Sequence, residues 1–266
     1  MDPIAVRSGP VDGDRAVALA KLLGGEIRAE AGDPVPPMWH WIYALDSWRP
    51  SELGVDGHPR HGLPSPPAPG QRRMFAGGTT THHRPLCFGD TVTRTTRVLR
   101  TERKHGRSGD LTFVTVRNEY AQSGRTAIVE DQDIVYRPAA GPDRPPQSAS
   151  PVAGEPFRVD TVTLFLFSAL TGNAHRIHYD RSYAATEGHP DVVVHGPLQV
   201  LLMAETLRRA GVPLTSFTYR LVAPARGPQE LRVVRPGPDD SGPSEDAVRV
   251  HGEGGVLIAR GRLGSP

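Results

Sequence analysis

Apolar residues recur at helical spacing in two parts of the chain. Ala16, Ala18, Leu19, Leu22 and Leu23 mark an amphipathic helix within residues 14–30, interrupted at Gly24-Gly25. Residues 198–207 carry Leu, Val, Met and Ala without Gly or Pro, and they follow His195-Gly196-Pro197. That pattern predicts a buried helix, because a proline at the first helical position has no amide proton to leave unpaired. Elsewhere the pattern is short and β-prone. Residues 91–101, 111–116 and 126–136 read as strands in the first part of the chain, and residues 216–222, 230–234, 247–251 and 256–262 in the second. The run Val162-Thr163-Leu164-Phe165-Leu166-Phe167 is β-branched and aromatic, and reads as a strand or a strand passing into a buried turn. Residues 49–72 read as a long Pro-, Gly- and His-rich loop, 103–109 as a charged turn and 237–244 as a polar turn.

A proline- and serine-rich stretch, residues 139–155, is the clearest boundary, dividing the chain into 1–138 and 156–266. The two parts share an order of features. Thr81-His82-His83-Arg84-Pro85-Leu86 before Gly89 has a counterpart in Thr218-Tyr219-Arg220-Leu221-Val222 before Gly227, and Val116-Arg117 before Gly124 answers Val248-Arg249 before Gly254-Gly255. Two copies of one α+β unit follow, each expected to wrap an antiparallel sheet around its helix.

Composition narrows the partners. A formal net charge of +2 in 266 residues gives no electrostatic case for nucleic acid. A single cysteine, Cys87, excludes an internal disulfide framework and fits a reducing compartment. The first residues lack the apolar core of a leader, and no apolar run approaches membrane-spanning length, so a soluble cytoplasmic protein is expected. Nucleotide-cradling glycine loops and a GxSxG nucleophile elbow are missing. Two tryptophans and a tyrosine in Trp39-His40-Trp41-Ile42-Tyr43 could line an acyl pocket, although aromatics mostly supply packing.

The chemistry concentrates in Gly172-Asn173-Ala174-His175-Arg176-Ile177-His178-Tyr179-Asp180 and, downstream, Val194-His195-Gly196. One carboxamide, three imidazoles and a guanidinium lie on an irregular segment just before a helix N-terminus, where free backbone N–H groups collect. His175 and His178 are spaced like metal ligands, but no Cys or carboxylate completes a recognisable set, so no metal is expected. This stretch resembles the hydratase motif of MaoC-like (R)-specific enoyl-CoA hydratases, and most closely their mesaconyl-CoA and itaconyl-CoA hydratase branch with the hydroxyacyl-thioester dehydratases. Further marks of that branch are Trp39-His40-Trp41, Ser51-Glu52-Leu53-Gly54, Asp56-Gly57-His58-Pro59, Arg73-Met74 and Gly106-Arg107-Ser108-Gly109.

The resemblance implies a double hot-dog fold, with a first half lacking the catalytic motif and a second half bearing it. It places the catalytic His on His178 and the catalytic Asp on Asn173, a change from a titrating group to one that does not. The implied reaction is reversible hydration of a 2-enoyl thioester without metal or redox cofactor, coenzyme A or an acyl carrier being part of the substrate. His178 would act as acid and base, since an imidazole titrates near working pH, and the Asn173 carbonyl oxygen would orient the water. The Gly196 N–H would hold charge on the thioester oxygen. Arg176 could clamp the carboxylate of a mesaconyl or itaconyl group, and otherwise forms a salt bridge in the fold or meets a coenzyme A phosphate. His195 is a candidate substrate contact, with capping or packing the plainer role. The other functional readings are a fatty-acid or polyketide-type dehydratase and a non-catalytic acyl-thioester-binding module. A homodimer is expected, with a pseudo-dimeric monomer as the alternative.

Overall fold

The computed structural model describes residues 4–60, 71–106, 109–138, 150–237 and 245–264. Most of the expected linker, the 238–244 turn, residues 61–70 of the long loop and Arg107-Ser108 lie outside these residues.

Asp12 caps the first helix, α1 (Gly13–Leu22), by accepting a hydrogen bond from the Arg15 N–H at 2.9 Å. The helix stops well short of residue 30 because the chain turns at Gly24, whose φ of +74° is open to glycine without strain. The strands are β1 (Ala5–Pro10), β2 (Gln71–His82), β3 (Thr91–Gly106), β4 (Gly109–Gln122) and β5 (Arg125–Pro138), then β6 (Glu155–Val159), β7 (Ser216–Leu221), β8 (Gln229–Val234), β9 (Val248–His251) and β10 (Leu257–Leu263). The charged segment expected as a turn at 103–109 is strand as far as Gly106, since β3 and β4 keep pairing to Gly106↔Gly109.

Among the described residues all ten strands form one antiparallel sheet, in the order β1-β3-β4-β5-β2-β7-β10-β9-β8-β6. Outward from the centre, β2-β5-β4-β3-β1 on one side matches β7-β10-β9-β8-β6 on the other, position for position. The expected duplication is therefore present as two five-stranded halves in one sheet, the double hot-dog arrangement. They meet where β2 pairs with β7, with Thr79 opposite Thr218 and the two hydroxyl oxygens 2.9 Å apart.

The helices break this symmetry. Residues 162–167, expected as strand, belong to α2 (Thr161–Thr171). Asp160 accepts the Thr163 N–H at 2.8 Å at its start, and Gly172 ends it at φ 63°. Local β-propensity yields here to a capped run too long for a single short strand. In the second half, α4 (Gly196–Arg209) lies against β8, β9 and β10 with buried residues on every side, from Leu198 through Leu207. In the first half the described residues between α1 and β2 hold two short 3₁₀ turns, Trp39–Ile42 and Pro50–Glu52, and α1 packs on α2. The expectation of a wrapped helix in each half is thus corrected for the first.

The turn 39–42 ties the halves together. The Trp39 indole N–H donates to Glu205 on α4 at 2.9 Å. The Trp41 indole donates at 2.8 Å to Glu130 on β5, which also accepts from the Tyr219 hydroxyl at 2.9 Å. Glu130 is completely buried, which would raise its carboxyl, but the His40 ring 3.5 Å away and then the Trp41 indole hold it below the usual range. Trp39, Ile42 and Tyr43 are core residues, while Trp41 also lines a cavity. That cavity, about 1120 Å³, opens on the face of the first-half sheet that presents Arg94 and Thr96 of β3, Asn118 and Tyr120 of β4, and Ile134 of β5. With no long helix on this face among the described residues, the first half leaves room for a ligand.

Candidate active site

The catalytic stretch runs from the end of α2 across this cavity to the start of α4. Gly172 turns the chain, Asn173 follows, a 3₁₀ turn covers Arg176–His178, and α3 (Arg181–Thr186) is capped by Asp180, which accepts the Tyr183 N–H at 2.9 Å. Asn173, His175, His178 and Gly196 all line the cavity.

His178 is buried, and its Nδ1 lies 2.7 Å from the Val193 carbonyl oxygen. A carbonyl only accepts, so the neutral ring carries its proton on Nδ1 and keeps the Nε2 lone pair for the cavity. Its ring stacks on His195 at 3.6 Å and 20°. Burial, and then the neighbouring His195 and His175 rings, push the His178 pKa well below 6.5, so it is an uncharged base at neutral pH.

His195 is completely buried and does not line the cavity. It precedes α4, its Nε2 lies 2.9 Å from the Ser168 hydroxyl, and burial pushes its pKa down to about 3. The substrate contact expected of His195 is replaced by a backing role, because the flat of its ring supports His178. Gly196 is the first residue of α4, so its N–H has no intrahelical partner. A Cβ there would lie 2.9 Å from Phe75 and 3.4 Å from Leu221, so a larger residue would crowd the cavity wall.

Two expected roles change. The Asn173 carbonyl oxygen accepts the His175 N–H at 3.0 Å, a local turn that fixes the carboxamide and leaves its NH₂ as the group free to serve the cavity. Arg176 does not line the cavity. Its guanidinium bonds Asp180 at 2.6 Å and the Val55 carbonyl at 3.0 Å and lies over the Tyr183 ring, so the expected acyl-carboxylate clamp gives way to a salt bridge within the fold.

A first-half loop lines the cavity; the resemblance implies that the first half helps shape the acyl site, but it gives this loop no catalytic role. Arg176 N–H donates to the Asp56 carbonyl at 2.9 Å, and Gly57 (φ +86°) sits so close that a Cβ would fall 1.9 Å from the Ala174 oxygen. Only glycine permits that approach. His58 lines the cavity, with its ring 4.1 Å from that of His175, which lies 5.5 Å from His178. Burial pulls the His58 pKa down to about 4 in spite of the opposing bond to Asp56. Burial would raise Asp56, but the His58 ring and backbone N–H groups hold it at about 2. The Asp-x-His spacing in Asp56-Gly57-His58 was the available signal. Arg72, Arg73, Arg94 and Arg137 line the cavity beside the carboxylates of Asp46 and Glu187, and Arg94 is paired with Asp46 at 2.5 Å.

The family described as hydroxyacyl-thioester dehydratase type 2 matches residues 38–226. The chain is 43% identical over 222 residues to mesaconyl-C(4)-CoA hydratase of Chloroflexus aurantiacus, covering 79% of this chain and 78% of that protein. Among solved structures, HtdX of Mycobacterium tuberculosis has a TM-score of 0.67 at 18% identity, covering 97% of this chain and 100% of HtdX. A further M. tuberculosis protein, described as a double hotdog fold, has a TM-score of 0.58 at 13% identity over 99% of this chain and 96% of its own. With its profile matched from the tryptophan turn to beyond the start of α4, the chain belongs to the hydroxyacyl-thioester dehydratase type 2 family of hydro-lyases.

Proposed function

We propose that the protein reversibly hydrates a 2-enoyl-CoA to the 3-hydroxyacyl-CoA, with a short branched dicarboxylic acyl group such as mesaconyl or itaconyl as its substrate. The observation that carries this reading is the His178 ring, its Nδ1 tied to Val193 and its face on His195, directly beside the α4 N-terminus at Gly196. Nε2 takes a proton from water as the oxygen attacks C3, and returns it to C2. The Gly196 N–H and the positive end of α4 stabilise the enolate oxygen of the thioester. Asn173 orients the reacting groups through its NH₂. The name of the Chloroflexus relative and the cavity arginines support an acyl-CoA whose acyl group keeps one free carboxylate beside the thioester.

No resident metal or redox group is part of this reading, and coenzyme A or an acyl carrier enters with the substrate. The single cysteine suits a reducing, cytoplasmic compartment. A panel of crotonyl-, mesaconyl- and itaconyl-CoA, followed by loss of enoyl-thioester absorbance, tests the function. The expected result is hydration with the highest kcat/KM on a dicarboxylic thioester. Tight coenzyme A binding with no turnover on any member would instead make the protein a binding module. Faster turnover of plain 3-hydroxyacyl thioesters would make it a fatty-acid-type dehydratase.

The proposal includes a homodimer. Val162, Phe165 and Leu166 of α2 are 62%, 63% and 46% exposed, an apolar face that a second copy would cover, with Phe165 also lining the cavity. Light scattering is expected to give twice the chain mass for the wild type and the single mass for Phe165→Glu. A monomeric wild type would refute the dimer.

A further inference from the structure

Hydration needs a water held by both of its O–H groups, so that an oxygen lone pair points at C3. One O–H faces the base that will take its proton. The other needs a fixed acceptor, or the water turns freely and loses the alignment that lowers the barrier. His178 Nε2 is the first acceptor. The second is not obvious within the catalytic stretch, because the Asn173 carbonyl oxygen already accepts the His175 N–H at 3.0 Å and the carboxamide cannot titrate.

The first half of the chain supplies a suitable group. His58 Nδ1 lies 3.1 Å from Asp56 Oδ2, and Asp56 Oδ1 accepts the His58 backbone N–H at 2.9 Å. An ionised carboxylate only accepts, so the imidazole proton sits on Nδ1 and Nε2 carries a lone pair. This is the arrangement by which a buried carboxylate orients a catalytic imidazole. His58 lines the same cavity as His178, and the His175 ring lies 4.1 Å from the His58 ring and 5.5 Å from the His178 ring. The loop carrying it is fastened to the catalytic stretch at three points: the Arg176 N–H on the Asp56 carbonyl at 2.9 Å, the Arg176 guanidinium on the Val55 carbonyl at 3.0 Å, and Gly57 against Ala174. Arg176, which does not reach the cavity, thus has a structural role in holding the two halves of the site in register.

Resting on the hydratase reading above, we propose that His58, oriented by Asp56, is a second catalytic imidazole whose Nε2 accepts the O–H that the water keeps. In the forward direction the water oxygen bonds to C3 and the C2–C3 π pair moves toward C2 and the thioester oxygen. One O–H bond breaks, giving its proton to His178, which then delivers it to C2. The second O–H stays intact on His58 and becomes the product hydroxyl. In reverse, His178 removes the C2 proton and returns it to the departing oxygen while His58 holds the hydroxyl.

The test uses three His58 variants of the full chain, with His178→Ala beside them, on whichever thioester the wild type hydrates fastest. Glutamine places its amide oxygen near the position of imidazole Nε2, whereas asparagine places it near Nδ1. His58→Ala and His58→Asn are expected to lower kcat by about 10²-fold with little change in KM, and His58→Gln to recover about tenfold of that loss. Melting temperature and coenzyme A affinity report whether each variant keeps its fold. His58→Ala at wild-type kcat overturns the inference, and so does a folded His58→Gln that is as slow as His58→Ala. A fully active His58→Ala beside an inactive His178→Ala removes His58 alone. A wild type inert on every thioester removes this inference together with the hydratase reading.

Discussion

His178→Ala is expected to lower kcat for enoyl-thioester hydration by about 10²–10⁴-fold, with KM changed much less. The acyl-CoA is to be held along a cavity of about 1120 Å³ whose walls come from both halves, so one side chain carries a small share of ground-state binding. The reaction, however, asks for a neutral base at one spot. The Val193 carbonyl at 2.7 Å fixes the Nδ1–H tautomer, and burial keeps the ring uncharged at neutral pH. An effect on kcat alone marks an interaction made in the transition state. His178→Asn is the sharper control. Its amide can still donate to Val193, yet it offers no titrating nitrogen, and it should be as slow as His178→Ala. Steady-state rates on the preferred thioester decide the matter, and a His178→Asn enzyme within a few-fold of wild type would move the proton chemistry elsewhere. Because the imidazole is already neutral well below pH 6.5, kcat/KM should also stay level from mildly alkaline to mildly acidic pH, for as long as the fold holds.

Much of this site was legible in the chain because its signals are local. Pro197 at the start of α4 and an apolar run without Gly or Pro placed the buried helix, and the clustered His, Asn and Gly before it placed the chemistry. α2 was misread because Val, Thr and Phe favour strands taken one by one. The evidence against a strand, Asp160 at one end and Gly172 at the other, lay just outside the run. Duplication was visible as an order of features. The presence of short 3₁₀ turns where the second half has its long helix was not, since a proline-rich segment with two tryptophans has no helical period to lose.

What the sequence did not offer were contacts between distant segments. Asp180, four residues on, is a visible partner for Arg176, but nothing in the sequence indicates that the same guanidinium also reaches the Val55 carbonyl and turns away from a ligand. That depends on the loop at residues 54–58 docking there, which in turn depends on Gly57 lacking a Cβ against Ala174. His58 and Asp56 could be seen as a pair, but their place beside His175 is a property of the folded chain. Long-range docking is set by shape and by satisfaction of buried polar groups, and neither has a period along the sequence.

Acidification is expected to unfold this protein earlier than its carboxylates would require. Burial lowers His58 to about 4 and His82 and His195 to about 3, and it lowers His178 well below 6.5. In the unfolded chain the same imidazoles titrate near 6.5. As pH falls below about 6.5 the unfolded state therefore binds protons that the folded state refuses, and stability drops until each folded pKa is reached. Each imidazole contributes a slope of up to about 1.4 kcal/mol per pH unit in that window. Asp56 and Glu130 act at lower pH. Their folded values are depressed, so their stabilising contribution is intact above the ordinary carboxylate range and fades only below it. With total stabilities of about 5–15 kcal/mol typical of folded proteins, four imidazoles acting together can remove most of the margin by about pH 5. Urea denaturation at pH 7.5, 6.0 and 5.0 should give a steep fall, and equal stability at the first and last would contradict it. His82 stands outside the cavity, and His82→Leu should flatten the fall by up to about 1.4 kcal/mol per pH unit while leaving hydration rates near wild type. The acid limb of activity should then follow unfolding, so that a variant more resistant to acid keeps its turnover at lower pH.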